Sequence, residues 1–585
     1  MLKNNTDWFV VYSEDPHLSE YTSPCDRYRE ALSGFDGSAG VLVIGPDNTL
    51  LFTDSRYYVQ AGHQLEGTGI NLMKYGMPDV PSPEYYLADH VWDGQSIAID
   101  MKTVSFERFN ELRRKLPDSV EITDGNKMLR EAAGSSIGSR VFGPIDKMPE
   151  AAAGKSAEVK LNLVRKKLSA LCRTDESYTY IISDLTSVMW LFNLRGCDIT
   201  HVPVAYSYAV ITGCSASLYV SRKNLGEECT GYLNDMGVSV KEYSCFYGDL
   251  EDIATDIVIA DPAKNNASIL NRFDEDNILK NCSDTRIIGK AVKNKAEISG
   301  MRSAHLKDAI VMIRFIKTVK EMAKEGRLPD EYELGLMLDD ARLKGGCCDV
   351  SFETICAYGK NSAIVHYSAG KDTASPVDPS GFLLVDSGGQ YRFEGTTDIT
   401  RTISLGQITD EEKKVYTTVL KGHLRLMGMI FPEGYKGSLI DSAAELPLWE
   451  AGYYCGHGIG HGVGHFLSVH ESEARISRAE SEKENPFFPG VIVSDEPGVY
   501  IEGRFGVRIE NLLLTVKSHD IEGHKMCAFE PLSLVPFDKE SIDPELLDEK
   551  ETAVLKRYYD QIEEKILPLL DDKERLWLKE NIDID

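Results

Sequence analysis

The sequence predicts a mixed α/β protein made of several units, and three observations support this. Short apolar runs alternate with helical patterns through the first 150 residues, as in layered α/β folds. A similar order of runs returns after residue 156. Near Ile288, a charged and amphipathic stretch leads into a larger set of strands and helices. We therefore predict units at residues 1–150, 156–288 and 289–535, followed by a helical extension at residues 536–585.

The first predicted unit reads as strands and helices in turn. Its apolar runs are WFVVYS, VLVIG, TLLFTDS and SIAID, and SFERFNELRRKL has the periodicity of an amphipathic helix. The small and polar segment EAAAGKS, at residues 150–156, is predicted to link this unit to the next.

The second predicted unit begins with a charged helix at residues 159–170 and continues with the runs TYIISD, AYSYAVIT and SLYVS. Their order is similar to that of the first unit, although few residues are identical. This similarity indicates either a duplicated unit or two unrelated units with the same patterning.

The third predicted unit is the largest. Two charged helices are expected within residues 288–326, and a further helix at residues 410–429. The predicted strands are FETICAYG, GFLLVDSGG, TTDITRTISLG, GVIVSDEPGVYI and FGVRIENLLLTV. The charged tail that follows has a period of 3.6 residues, which predicts a docked pair of surface helices.

Charge and cysteine content restrict the function classes. The chain has 585 residues with a formal net charge of −28 and a pI near 5.0, so a nucleic acid or an anionic membrane would repel it. Twelve cysteines without CxxC spacing favour reduced thiols over a disulfide framework or a zinc ribbon. No run of eighteen apolar residues or signal-peptide pattern occurs, which favours a cytoplasmic protein.

The most unusual segment is GHGIGHGVGHFLSVH, residues 456–470, which holds four of the thirteen histidines. Glycines between His457, His461 and His465 would let the backbone fold tightly, adopt positive φ and approach a bound group closely. Such a composition is typical of a metal or substrate pocket, while a flexible loop with incidental histidines is the alternative. His465, four residues after His461, is not assigned as a ligand because the segment is too rich in glycine for a regular helix.

Acidic residues occupy strands that would otherwise be apolar. Asp386 ends GFLLVDS and Asp398 lies in the returning strand, so a hairpin would bring the two carboxylates together. Glu496 follows VIVSD and Glu510 interrupts FGVRIENLLLTV. With His461, these four carboxylates would form an oxygen-rich ligand set whose charge balances two divalent cations, which favours Mn²⁺ over zinc bound by thiolates. Such a pair of cations suits hydrolysis of an amide.

Five ordered motifs resemble the metallopeptidases of the aminopeptidase P, prolidase and methionine aminopeptidase group. They are VHYSAG, DSGGQYRFEGTTDITRT, GHGIGHGVGHFLSVHE, VSDEPGVY and FGVRIEN. The front of the chain, with SEYTSPCDRYREALSGFDGSAG and FTDSRYYVQAG, is similar to the amino-terminal domain of long, three-domain cytosolic Xaa-Pro aminopeptidases. The resemblance implies two related creatinase-like α/β domains followed by a catalytic domain of the pita-bread fold, a curved antiparallel sheet backed by helices.

The resemblance also implies a role for each matching position. The implied ligands of two Mn²⁺ ions, with Co²⁺ or Zn²⁺ as alternatives, are Asp386, Asp398, His461, Glu496 and Glu510. Glu496 would also be the general base. The outer histidines His366 and His470 would contact the substrate carbonyl and stabilise the tetrahedral intermediate.

Four further expectations come from the same resemblance. His457 and Arg56 would contact substrate, and Arg508 could hydrogen-bond a ligating carboxylate. The implied activity is removal of the amino-terminal residue from peptides whose second residue is proline. The implied assembly is a homodimer.

Two departures from the family pattern accompany these expectations. The segment between Asp386 and Asp398 is one residue longer, at 392–394, which a hairpin tip can absorb. Ser472 and Glu473 stand where Gly-Pro is common, so the rim beside the pocket is expected to differ in shape and charge.

The rival functions are prolidase, which cleaves only dipeptides, and a peptide-binding protein of the same fold that lacks activity.

Overall fold

A computed structural model of the chain describes residues 6–279, 282–478 and 485–583. It divides into two compact units, one of residues 1–150 and 155–289 and the other of residues 151–154 and 290–585. None of the helices in these described ranges is both long enough and apolar enough to cross a bilayer. All twelve cysteines are free thiols.

The first unit contains two six-stranded sheets. In spatial order, the first sheet comprises Ile70–Lys74, Thr49–Thr53, Val41–Ile44, Trp8–Tyr12, Ser96–Ile99 and Glu121–Asp124. The second comprises Val238–Glu242, Ala216–Val220, Ser207–Thr212, Tyr178–Ile182, Ile257–Ile259 and Ile278–Leu279. A separate short ribbon pairs Asp146–Lys147 with Leu194–Arg195.

The two six-stranded sheets have the same topology. In each, the first strand along the chain pairs antiparallel with the second, and the second pairs antiparallel with the third. The remaining pairings, third with fourth, first with fifth and fifth with sixth, are parallel. This agreement favours the duplication interpretation, which the weak residue identity left open.

Helices cover these sheets. Those of the first unit are Tyr28–Ser33, Tyr58–Gln64, Pro83–His90, Phe106–Lys115, Asn126–Ala133, Ala157–Ser169, Leu185–Phe192, Glu227–Asp235, Phe246–Asp249, Ala267–Leu270 and Asp284–Ile288. The helix predicted at residues 159–170 is Ala157–Ser169, and Ser156 caps it by accepting a hydrogen bond from the Val159 amide. The predicted linker is instead partly a short helix, Glu150–Ala153.

The second unit is built from antiparallel strands. Its largest sheet has the spatial order Ile430–Pro432, Met526–Pro531, Asn511–Lys517, Ile492–Asp495, Gly460–Gly462 and Glu471–Ile476. Two three-stranded sheets comprise Ile355–Tyr358, Phe382–Ser387 and Ile399–Ser404, and Asp349–Val350, Gly389–Tyr391 and Gly395–Thr396. Gly498–Ile501 and Phe505–Arg508 form a hairpin. All pairings between these strands are antiparallel, as the pita-bread expectation requires.

The helices of the second unit are Lys295–Lys324, Glu331–Lys344, Asp410–Met427, Ser442–Glu450, Glu549–Lys565 and Asp572–Ile582. The prediction of two helices within residues 288–326 is wrong, because Lys295–Lys324 is one continuous helix of 30 residues. Asn294 and Glu297 form a capping box at its start, and Gly300 is tolerated within it. The two carboxy-terminal helices pack Leu555, Ile562 and Leu578 into the core of this unit. The predicted boundaries at 150, 156, 288 and 535 stay a prediction.

Candidate metal centre

Two adjacent strands carry the first pair of predicted ligands. Phe382–Ser387 contains Asp386 and pairs antiparallel with Ile399–Ser404, so that Asp386 lies opposite Thr400. Asp398 comes directly before this second strand rather than inside it. The expected hairpin therefore brings the two carboxylates to one end of the sheet.

Glu510 joins them from a break between two strands. FGVRIENLLLTV is not one strand, as predicted, but two, Phe505–Arg508 and Asn511–Lys517, which pair with different partners. At the break, the Glu510 amide donates to the Thr400 carbonyl over 3.1 Å, and the Thr400 hydroxyl donates to Glu510 Oε2 over 2.8 Å. Both bonds hold the Glu510 carboxylate beside Asp398.

His461 and Glu496 complete the cluster from the largest sheet. His461 Nε2 lies 3.4 Å from Asp398 Oδ2 and 3.5 Å from Glu496 Oε1. Its Nδ1 lies 2.9 Å from the Gly462 carbonyl, which can only accept, so Nδ1 carries the proton and Nε2 is directed at the carboxylates. Ser494 Oγ accepts from the His461 amide over 2.9 Å and donates to Glu496 Oε1 over 3.2 Å.

Glycines allow this packing by close approach. A Cβ added at Gly460 would lie 2.0 Å from the Ser494 carbonyl oxygen, and one at Gly462 would lie 2.7 Å from the Glu471 carbonyl oxygen. The expectation of positive φ is wrong, because none of the glycines of residues 456–464 is among the described residues with positive φ. Small size, rather than unusual backbone conformation, accounts for glycine here.

The electrostatics of the cluster favour bound cations. Burial raises the pKa of the Asp398 carboxyl to about 6, although the hydrogen bond from His461 opposes the rise. Burial, and then the charge of Asp398, raise the pKa of Glu510 well above its usual value. Burial alone would lower the pKa of His461, but the hydrogen bond to Asp398 and the charge of Glu496 raise it to about 9. Without a cation, several of these groups therefore retain protons.

The residues present fit a metal site. Ligand atoms of Asp398, His461 and Glu510 all lie within 4.8 Å of one another. Three buried carboxylate oxygens, Asp386 Oδ1, Asp398 Oδ1 and Glu510 Oε1, accept no hydrogen bond from the described residues. Buried oxygens are rarely left without a partner, and hard divalent cations bind such oxygens. The side chains of His461 and Glu496 are 20% and 19% exposed, so a small molecule can reach this side of the cluster.

A chain of hydrogen bonds supports Asp386. Arg508 Nη2 donates to Asp386 Oδ2 over 2.6 Å, as expected for Arg508, and its Nη1 donates to the Tyr500 hydroxyl over 2.8 Å. The Tyr500 hydroxyl lies 2.7 Å from His457 Nε2. His457 is thus placed three hydrogen bonds from a predicted ligand, and its predicted contact with substrate stays a prediction.

Of the two outer histidines, His470 lies beside a predicted ligand, and His366 follows a residue that contacts Arg508. The ring of His470 lies 4.3 Å from that of His461, edge to face. His366 follows Val365, whose carbonyl accepts a hydrogen bond from Arg508 Nη1 over 3.3 Å. His465 lies beside the helix Lys295–Lys324, where a Cβ at Gly300 would meet its Nε2 at 2.9 Å.

Arg56 lies in the first unit. Its guanidinium donates to both carboxylate oxygens of Asp54, over 2.8 and 2.7 Å, and its Nη1 is 4.0 Å from Glu20. Its predicted contact with substrate stays a prediction.

The structure locates both departures from the family pattern. Residues 392–394 form the tip of a hairpin between Gly389–Tyr391 and Gly395–Thr396. Phe393 has a φ of 61°, and Lys307 Nζ donates a hydrogen bond to Glu394 Oε1 over 2.6 Å. Glu473 is a buried residue, because its side chain is 2% exposed and lies 2.9 Å from buried Lys290. Ser472 beside it is exposed, and the predicted difference in the shape and charge of the rim stays a prediction.

Several supporting residues did not stand out in the sequence. They are Thr400, Ser494 and Tyr500, each within four residues of a predicted ligand and inside a recognised motif.

A second buried network was also not predicted from the sequence: His423 Nδ1 lies 3.2 Å from Asp495, and its Nε2 lies 3.0 Å from Asn511 Nδ2. Arg401 donates to the carbonyl of Glu510 over 2.7 Å. A sequence signal existed for two of these residues, since Asp495 precedes Glu496 and Asn511 follows Glu510, whereas His423 is adjacent to no ligand.

Comparison with known proteins agrees with this architecture. Residues 299–517 match the family model for metallopeptidase family M24, and residues 525–583 match the C-terminal region of that peptidase. Residues 8–132 and 139–297 each match a creatinase/prolidase N-terminal domain.

Two individual relatives match nearly the whole chain, and a third matches part of it. A probable Xaa-Pro aminopeptidase P from Botryotinia fuckeliana is 36% identical over 100% of this chain and 91% of the relative. The crystal structure of X-prolyl aminopeptidase from Caenorhabditis elegans, a cytosolic enzyme with a di-nuclear active site, superposes with a TM-score of 0.93. It is 29% identical and covers 99% of this chain and 95% of its own. Dipeptidase PepE from Mycobacterium ulcerans, with 20% identity and a TM-score of 0.51, shares the fold over 67% of this chain and 98% of its own.

The two N-terminal domain matches, the M24 match and the full-length relative all follow the order found in the fold. The chain therefore belongs to the Xaa-Pro aminopeptidase P group of metallopeptidase family M24.

Proposed function

We propose that this protein is a metal-dependent Xaa-Pro aminopeptidase, which hydrolyses the bond between an amino-terminal residue and a following proline. The observation that carries the proposal is the set of buried carboxylate oxygens of Asp386, Asp398 and Glu510 that accept no hydrogen bond from the described residues, with His461 Nε2 3.4 Å from Asp398. The family to which the chain belongs, and the di-nuclear active site of the C. elegans relative, support the same proposal.

Two divalent cations would be held by Asp386, Asp398, His461, Glu496 and Glu510. We propose Mn²⁺, because carboxylate oxygens and one imidazole suit a hard ion, with Co²⁺ or Zn²⁺ as alternatives. When bound, such a pair supplies Lewis-acid chemistry and lowers the pKa of water. The chain has no thiolate in this ligand set that would favour zinc.

The remaining chemistry belongs to the chain's own side chains. The Glu496 side chain is partly exposed and its Oε1 is oriented by Ser494, so it is placed to take a proton from the attacking water and to pass it to the leaving proline nitrogen. His470, beside His461, and His366, beside the Arg508 and Asp386 pair, would donate hydrogen bonds to the scissile carbonyl oxygen as negative charge develops there.

Proline accounts for the selectivity. Its nitrogen belongs to a tertiary amide without an N–H, and its ring fixes φ, so peptidases that require that N–H do not cleave this bond. We propose that His457 and Arg56 contribute substrate contacts.

The experiment that tests the function is hydrolysis of Arg-Pro-Pro by protein that has been stripped by chelator and then titrated with Mn²⁺. Release of arginine that depends on Mn²⁺ is expected. Cleavage of Ala-Pro without cleavage of Arg-Pro-Pro would indicate prolidase instead. If neither peptide is cleaved but calorimetry shows peptide binding, the protein is a binding protein without activity.

We further propose a cytoplasmic homodimer. Free thiols at all twelve cysteines and the cytosolic C. elegans relative support the location. Large apolar side chains that are exposed within a short stretch of sequence support self-association: Leu439, Leu446, Trp449 and Tyr454 are 60%, 43%, 42% and 63% exposed. Sedimentation velocity should give a mass near twice 65.1 kDa, and a single species at the monomer mass would exclude the dimer.

A further inference from the structure

Glu331 is a buried carboxylate outside the metal centre that binds several donors at once. It is the first residue of the helix Glu331–Lys344 and its exposed fraction is 0%. Oε1 accepts from the Tyr358 amide over 2.6 Å and from Asn361 Nδ2 over 3.0 Å. Oε2 accepts from the Tyr367 hydroxyl over 2.7 Å and the Ser375 amide over 2.8 Å. The amide of Glu331 also donates to the Ser375 carbonyl over 3.2 Å.

The donors explain why a carboxylate is buried here. Within the described residues, Glu331 has no lysine or arginine partner, and hydrogen-bond donors hold both of its carboxylate oxygens. An ionised carboxyl in such a place is costly unless donors surround it, and bonds to a charged acceptor are strong. All four donors belong to residues 358–375, which run from the last residue of the strand Ile355–Tyr358 into the connection that leads to Phe382–Ser387. The Glu331 side chain therefore holds most of this connection by hydrogen bonds.

His366 lies in the middle of that connection, between two anchors. On one side, the Val365 carbonyl accepts from Arg508, which also binds Asp386. On the other side, the Tyr367 hydroxyl donates to Glu331. Consecutive residues held at fixed points leave the intervening backbone little freedom, so the position of the His366 imidazole depends on both anchors.

We propose that Glu331, acting through Tyr367, is a positioning residue that fixes His366 for the hydrolytic step. The inference rests on the proposed function, in which His366 donates a hydrogen bond to the scissile carbonyl oxygen. Glu331 does not contact substrate or metal in this assignment. Small misplacements of a group that acts in the transition state lower kcat by up to about 10²-fold with little effect on substrate binding.

The test compares two tyrosine to phenylalanine substitutions within residues 358–375. Tyr367→Phe removes one donor to Glu331, whereas Tyr358→Phe removes a hydroxyl that donates to the Ser380 carbonyl at an exposed position. Tyr367→Phe is expected to lower kcat for Arg-Pro-Pro about tenfold, with KM within about twofold and Mn²⁺ affinity by calorimetry unchanged. Tyr358→Phe is expected to keep kcat near the wild-type value. Glu331→Gln should lower kcat at least as much as Tyr367→Phe, and if it does not fold, Tyr367→Phe decides.

Combination with His366→Ala separates positioning from general structural damage. If Tyr367 acts through His366, adding Tyr367→Phe to His366→Ala lowers kcat no further. A further tenfold loss in that background, or equal effects of Tyr367→Phe and Tyr358→Phe, would overturn the inference.

Hydrogen exchange of residues 359–375 gives a readout that needs no activity. Exchange should rise in Tyr367→Phe and not in Tyr358→Phe, and equal exchange would also overturn the inference. If the wild-type protein cleaves neither Arg-Pro-Pro nor Ala-Pro, the proposed function fails. The exchange comparison still decides whether Glu331 and Tyr367 restrain residues 359–375.

Discussion

Lys290→Met is expected to destabilise the second unit, because Lys290 belongs to a buried cluster of two lysines and two glutamates. Its Nζ lies 3.0 Å from Glu471 and 2.9 Å from Glu473, and Lys293 Nζ lies 2.6 Å from Glu471. All four side chains are 2% exposed. The formal charges of the cluster sum to zero, and methionine would keep the length of the side chain while removing one positive charge.

The size of the effect follows from this burial. Removing one partner of a buried ion pair costs roughly 3–5 kcal/mol, because the remaining charge stays in a place that excludes water. In a unit of a few hundred residues, each kcal/mol lowers Tm by about 2–4 °C. We therefore expect Lys290→Met to lower Tm by on the order of 10 °C.

Calorimetry of Mn²⁺-loaded protein provides the assay. Lys307→Met is the matched control, since Lys307 pairs with Glu394 at a side-chain exposure of 44%, and exposed pairs contribute about 0–1 kcal/mol. The double variant Lys290→Met with Glu473→Gln removes both charges and should recover more than half of the lost Tm. If Lys290→Met is no worse than Lys307→Met, or if the double variant recovers nothing, the argument from an uncompensated buried charge is refuted.

Three predictions concern the metal centre. Glu496→Gln should lower kcat by about 10²–10⁴-fold with peptide binding largely intact by calorimetry, and near-normal kcat would exclude the role of base. His461→Ala should lose Mn²⁺ by elemental analysis, whereas His470→Ala should keep it and lose kcat; equal metal loss would contradict the assignment. The Tm of chelator-stripped protein should fall as pH rises from 7 through about 9, because the folded pKa of His461, about 9, exceeds its unfolded value. Mn²⁺-loaded protein should lack this contribution, and identical slopes would contradict it.

Local chemistry made the centre predictable from sequence. Asp386 and Glu510 each interrupt a run of apolar residues that would otherwise be buried, and burial of an acidic residue requires a compensating partner. The antiparallel unit was implied by the resemblance of the five ordered motifs to the peptidase group. The glycines near His461 stood out by composition, although the structure shows that close approach to Ser494 and Glu471 is the reason for them.

Contacts between distant residues account for what the sequence did not indicate. Glu473 looked like a surface residue because its partner Lys290 lies 183 positions earlier in the chain. Glu331 was equally unmarked, since its donors lie between 27 and 44 positions later. The break at Glu510 depends on two different sheets accepting the two halves of one apolar run, and pairing of this kind is not visible in local patterning.

The supports of the proposed ligands suggest why the chain can hold so many acidic groups together. Thr400 donates to Glu510, Ser494 donates to Glu496, and Arg508 donates to Asp386. Each of these bonds uses one carboxylate oxygen, while Asp386 and Glu510 each keep a second buried oxygen that accepts nothing from the described residues. The hydrogen bonds therefore fix the orientation of these carboxylates without satisfying them. A site of this kind is oriented before a cation binds and remains electrostatically unfavourable until one does.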